Sequence, residues 1–374
     1  MGRPAYRGSA QFVSMGTDIN SAHLYLDRMT SSHAVGNLFA FALPRRAILT
    51  FLLCLGSALS FAQQGAVRSG AAATPQPAAE DWSRLAVDRK VVYPILPGVV
   101  LGKEERSTYT REIVRMEWRH GDFIDLQVVK PRSVARPHAV LYLYSYPSDI
   151  SRFQDDGWCT RATRDGLAAV GFVSALTGDR FSNRPMREWF LSQLQESMGA
   201  SAHDVQLILD YLASRGDLAT DRVAMWGQGS GASIAILAAA ADHRIAVLDL
   251  LNPWGDWPDW LKSSSAVPEE QRAQFLTAEF LEKAAPVDPV KFLPQLNDRT
   301  LRVQQILDDT DTPDAAREKI AAAVPPGHLM QYKDREAHRD AWKAAGIAGW
   351  IASQFQPPQP ANAAAVNKPQ QSNQ

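Results

Sequence analysis

Residues 222–245 read RVAMWGQGSGASIAILAAAADHRI. The run Asp221–Gly227 is short and apolar, as a strand buried on both faces must be. From Ser230 the sequence is small and apolar nearly all round, the composition of a buried helix packed close to a sheet. Gly227, Gly229 and Gly231 mark the junction. A strand that turns straight into a helix strains the backbone at the tip of the turn, a place that suits glycine. Residues two before and two after the tip crowd it, so both must be small. With the tip at 229 they are Gly227 and Gly231; with the tip at Ser230 they are Gln228 and Ala232, and the glutamine collides with the turn. Crowding therefore favours Gly229 at the tip and makes Ser230 a first-turn helix residue.

Outward from this turn, strands and helices alternate. Residues 114–130, VRMEWRHGDFIDLQVVK, alternate apolar and polar side chains on both sides of His120-Gly121-Asp122, which predicts a β-hairpin. Apolar runs at His138–Tyr146 and Leu167–Leu176, and in RIAVLDLLNPWG, LRVQQILDD and HLMQYKD, predict further strands. Helical segments separate them, so the sheet is expected to be mostly parallel. Residues 187–216 carry apolar side chains at helical spacing from Trp189 to Leu212, with Gly216 as a stop and a bend or restart expected near Gly199 and Ser201. PDAAREKIAAAV and RDAWKAAGIAGWIASQF are amphipathic helices. Helical, proline-marked sequence between Trp257 and Asp298 interrupts the alternation and reads as a small lid, about residues 256–298. Its Trp254, Trp257 and Trp260 suit either a platform for sugar, aromatic or lipid ligands or the lid's own hydrophobic core, and the second is favoured. The fold class expected is α/β, a mostly parallel doubly wound sheet with a helical lid insertion.

A strand, a glycine-flanked turn and a small-residue helix resemble the nucleophile elbow of the α/β-hydrolase superfamily, whose pattern is G-x-S-x-G. The resemblance extends over residues 110–355 and is closest to the dienelactone-hydrolase, acetyl-xylan-esterase and prolyl-oligopeptidase-like members. It implies an exported serine ester or peptide hydrolase in which Ser230 attacks, His338 takes the proton and Asp311 orients the histidine. That requires the turn to shift by one residue, bringing Ser230 Oγ within about 3 Å of His338. Asp311 precedes Thr312-Pro313, as the family's acid loop would; Asp309 and Asp256 compete for the role, and a helix cap explains Asp311 equally well. His338 follows the last strand and precedes a helix, whereas His328 lies at the wrong end of that strand. The oxyanion loop corresponds to Tyr144-Ser145-Tyr146-Pro147. Pro147 has no N–H, so Tyr146 or Ser145 would have to donate, together with the N–H of Ser230. The alternative is a catalytically silent relative that keeps the pocket to bind a ligand, and a third reading uses His338 as a general base in other chemistry.

The chain has 374 residues, 45% hydrophobic and 21% charged, with a formal net charge of -1. That excludes a global basic field for nucleic acid, and no nucleic-acid motif is present. LPRRAILTFLLCLGSALSFAQQ has an arginine pair, Arg45-Arg46, a short apolar run, and Ser60-Phe61-Ala62 at the positions a signal peptidase reads. Residues 1–62 are therefore expected to be a signal peptide and upstream leader, and the protein periplasmic or secreted. The run is shorter than the roughly 20 apolar residues of a spanning helix, so no stable membrane anchor is expected. Residues 63–110 read as a linker and lead-in, 111–355 as the domain, and 356–374 as a disordered tail. Cys159 is the one cysteine after the leader. No histidine, cysteine or carboxylate spacing predicts a metal site. GQGSGA matches a dinucleotide fingerprint only loosely and too late in the chain, so no cofactor is expected and the partner is a small ester or peptide ligand.

Overall fold

The computed structural model describes residues 80–92, 98–119, 121–147, 150–176, 190–345 and 347–356. The leader, His120, Trp189 and the tail beyond Gln356 lie outside the described residues. Alternation along the strands sets the architecture. Leu141, Leu143 and Met225 point into one apolar cluster, while Val140, Tyr142, Ala224 and Trp226 point into another, so the sheet is covered on both faces. Its strands are β1 (Val99–Glu105), β2 (Tyr109–Arg119), β3 (Asp122–Pro131), β4 (His138–Leu143), β5 (Ala168–Gly171), β6 (Ala219–Gln228), β7 (Ile245–Leu251), β8 (Thr300–Ile306) and β9 (Leu329–Tyr332). Their order is β1-β2-β3-β5-β4-β6-β7-β8-β9. Pairing is antiparallel from β1 to β3 and between β3 and β5, and parallel from β5 through β4 to β9. β1 lies within the stretch read as a lead-in and forms one edge of the sheet.

The helices are α1 (Asp156–Thr163), α2 (Leu194–Arg215), α3 (Ser230–Ala241), α4 (Trp257–Ser263), α5 (Ala278–Ala284), α6 (Asp314–Ala323), α7 (Arg335–Ala345) and α8 (Ile347–Ser353), with a further helical turn at Arg272–Phe275. α2 and α3 pack into the first cluster, through Val205, Ile208, Ile234 and Leu237 among others. α1 and α8 cover the opposite face through Trp158, Cys159, Ile351 and Ala352. Each such leucine or isoleucine, fully buried, contributes about 1.5–3 kcal/mol. Every residue of α3 from Ser230 to Ala239 is buried, as its composition predicts.

Three elements differ from expectation. α2 runs unbroken through Gly199 and Ser201 to a left-handed Gly216. Gly199 is there because a side chain would overlap the carbonyl of Trp82, which packs against the helix. β4 ends at Leu143 instead of Tyr146, and β5 ends at Gly171 instead of Leu176. The lost residues of β4 curl over the elbow, where the Tyr146 N–H donates to Ser230 Oγ at 2.9 Å rather than to a neighbouring strand. Helical elements between β7 and β8 form the expected lid. Trp254, Trp257 and Trp260 are buried together there, with ring centroids 4.8 and 5.7 Å apart, so they are chiefly the lid's core.

Candidate active site

The strand-to-helix turn has its tip at Gly229, with φ 53° and ψ −120°. Only glycine takes this backbone without strain. The tip is fixed from both sides: its N–H donates to the Leu251 carbonyl at 2.9 Å and its carbonyl accepts from the Ser233 N–H at 3.1 Å. The crowding that sets the register is visible at both flanks. A Cβ on Gly227 would stand 2.5 Å from Ala232 Cα, and one on Gly231 would overlap the Leu143 carbonyl.

The turn has not shifted to Ser230. That serine opens α3, is 1% exposed, and its Oγ accepts the Tyr146 N–H. The donor expected to face an oxyanion is thus already occupied. The Ser230 N–H, at the first helical position, has no intrahelical acceptor.

At the carboxyl ends of β6, β7 and β8 lies a pocket of about 120 Å³. Ser145, Gly229, Asn252, Asp309, Asp311 and Arg335 give it a polar lining, and Trp254, Leu251 and Ile306 give it apolar walls. Gln228, which had no room beside a tip at 230, lines it as well. Two carboxylates, Asp309 and Asp311, belong to this lining, and Asp309 is the one held by Asn252. Asn252 Nδ2 donates to Asp309 Oδ2, and the Asp311 N–H donates to its Oδ1 at 2.9 Å. Asn252 also accepts the Ile306 N–H at 2.8 Å, so it locks the ends of β7 and β8 together while holding the acid. Burial pushes the Asp309 carboxyl above the usual range, aided by the negative charge of Asp311; the Asp311 N–H, Arg335 and Asn252 act in the other direction.

Asp311, expected as the acid, serves mainly as a strut. Its carboxylate accepts from Ser265 Oγ, and its carbonyl accepts from Trp260 Nε1 at 2.8 Å and Ser264 Oγ at 2.7 Å. It thereby ties the lid to the loop after β8. Asp256, unlike Asp311, is away from the pocket lining and pairs with Lys319 at 2.9 Å. His338 was expected just ahead of a helix but lies within α7. Asp334 caps that helix by accepting the Ala337 N–H at 2.8 Å, which starts it at Arg335. The early start puts Arg335 against the pocket, 3.9 Å from Asp309, and packs the His338 ring edge-on against Tyr332 at 5.1 Å. Burial, then the charge of Arg302, lowers the His338 pKa. Among the described residues no hydrogen bond joins any two of Ser230, Asp311 and His338. No group of three histidine, cysteine or carboxylate side chains among those residues could hold a metal ion.

Asn252 and Arg335 thus join Ser145, Asp309 and Asp311 among the polar groups gathered around the elbow. Asp309 was visible as a competitor. Asn252, with a positive φ of 46° directly after β7, carries a weak local signal of its own, since asparagine tolerates that region.

No family model matches the chain, and no curated protein matches it. Solved structures do. The acetyl xylan esterase from Paenibacillus sp. R4 superposes with a TM-score of 0.51 at 17% identity, covering 71% of this chain and 89% of that one. Acetyl Xylan Esterase 1 from Thermoanaerobacterium sp. JW/SL YS485 superposes with a TM-score of 0.52 at 13% identity, with the same coverage of 71% and 89%. Sheet order, the elbow after β6, the lid before β8 and these superpositions agree: the chain has the α/β-hydrolase fold.

Proposed function

We propose that the protein hydrolyses esters of short acyl groups in the pocket at the elbow. The observation that carries this is the pocket itself, which sets a partly buried carboxylate, Asp309, beside the elbow tip in a space of about 120 Å³. A space of that volume, bounded on one side by Trp254, Leu251 and Ile306, takes an acetyl-sized group. The two structural neighbours are named acetyl xylan esterases, in keeping with that size. Each methylene that those apolar walls do not accommodate costs about 1–3 kcal/mol. With p-nitrophenyl esters, kcat/KM is therefore expected to fall by at least about tenfold from acetate to butyrate. Equal turnover of octanoate and acetate would contradict the pocket assignment, and no turnover of any ester would remove the function.

A second reading, a ligand-binding protein without turnover, is favoured by one observation: neither the tip residue nor Ser230 presents a free hydroxyl to the pocket. Saturable acetate binding by a chain inert to all esters would decide for it. We also propose export. Support comes from the arginine pair and apolar run ahead of Ala62, and no helix among the described residues is long and apolar enough to cross a membrane. N-terminal sequencing of the exported chain should begin at Gln63; an intact leader on that chain would refute this.

A further inference from the structure

We infer that Ser145, carried by the loop after β4, supplies the attacking hydroxyl that the elbow tip lacks, with Asp309 as its base. The inference rests on the hydrolase reading above. A side chain added at Gly229 would overlap Ser145 Oγ and place its Cβ 2.8 Å from Ser145 Cβ. The Ser145 hydroxyl therefore occupies the place toward which an elbow side chain would project. It lines the pocket and has no hydrogen-bond partner among the described residues. Trp254 Nε1 lies 3.2 Å from the same built Cβ and is also without a partner among them, which puts an N–H donor beside the reacting centre.

The loop is held on both sides of the serine. Tyr144 packs on Trp226 with centroids 4.6 Å apart. Tyr146 packs on Phe190 with centroids 4.8 Å apart, and its N–H donates to Ser230 Oγ at 2.9 Å. Ser230 is thus a positioning residue for Ser145. In the step, Oγ bonds to the acyl carbon and its proton passes, by way of one water because no hydrogen bond joins the two side chains, to the Asp309 carboxylate in the same pocket lining. The carbonyl electron pair moves onto oxygen beside the Trp254 N–H, then returns and expels the alkoxide, which takes the proton from Asp309. Water repeats the sequence and frees the acid. Burial holds the Asp309 carboxyl above its ordinary range, which makes it a better base than an exposed aspartate once ionised. Facing it are Asp311, Arg335 and Asn252.

The test is a fluorophosphonate probe on the full-length protein, followed by tryptic mapping, with p-nitrophenyl acetate turnover in parallel. The label is expected on the peptide ending at Arg152, which contains Ser145, and not on the peptide from Val223 to Arg244, which contains Ser230. Ser145→Ala should lower kcat/KM by more than about a hundredfold with an unchanged unfolding midpoint. Asp309→Asn should remove the rise of kcat with pH. Ser230→Ala should lower kcat modestly, with label still on the Ser145 peptide. Turnover that persists in Ser145→Ala, or label on the Ser230 peptide, overturns the assignment while leaving the hydrolase reading intact. A wild-type chain that neither turns over nor labels overturns both.

Discussion

Gly229→Ser, the substitution that would complete a G-x-S-x-G pattern, is expected to weaken the protein and not to raise its esterase activity. Two costs combine. A non-glycine residue held at φ 53° is strained by about 1–3 kcal/mol. The new side chain also overlaps Ser145, and overpacking of that kind costs about 1–3 kcal/mol more. Urea denaturation should show a loss of about 2–6 kcal/mol at an unchanged slope. Ser145→Gly in the same chain removes the overlap and leaves the strain, so the double variant should recover about 1–3 kcal/mol. It also moves the hydroxyl from the loop to the tip, and turnover is expected to return with it. If Gly229→Ser is as stable as the wild type, Ser145 has somewhere else to go and the two positions do not compete for one space.

That competition marks the boundary of what the sequence makes legible. Strand alternation, the lid and the buried helix α3 follow from local periodicity, and the register of the turn follows from three glycines. The site does not, because each of its members is aimed by a partner remote in sequence. Asp309 and Asp311 are two residues apart in one loop, and the one local signal, Thr312-Pro313 after Asp311, favours the second. Asn252, 57 positions earlier, bonds the first, while Ser265 on the lid bonds the second. His338 matches the expected histidine in order along the chain, yet the Asp334 cap starts α7 early and turns Arg335 to the pocket instead. That cap was visible as an aspartate three residues ahead of Ala337, a spacing that suits a helix start. Ser145 shows its place only when two loops 84 positions apart are brought together.

The same dependence on partners predicts the largest loss of stability. Asp249, in the middle of β7, is fully buried and accepts from Arg302 Nε at 2.8 Å, from a terminal Arg302 nitrogen at 2.6 Å, and from Gln304 Nε2 at 2.8 Å. Arg302 in turn lies over the Trp350 ring at 4.4 Å, and its charge adds to burial in lowering the His338 pKa. Arg302→Ala leaves a carboxylate in the core without its counter-ion, so unfolding at neutral pH should become easier by about 3–5 kcal/mol. Adding Asp249→Asn removes the stranded charge and keeps an acceptor for Gln304, and it should recover at least half of that loss. The deficit must also depend on pH. Burial already pushes the Asp249 carboxyl above its ordinary range with Arg302 present, and removing the guanidinium pushes it further. Between the unfolded value, about 3.9, and the raised folded value, the folded variant binds a proton that the unfolded chain has lost. Its stability therefore falls as pH rises through that window. The gap to the wild type should be smallest near pH 4 and widen toward neutrality. A gap of constant size would mean that water reaches Asp249 once the arginine is gone, and that the sheet beneath the pocket opens more readily than its packing implies.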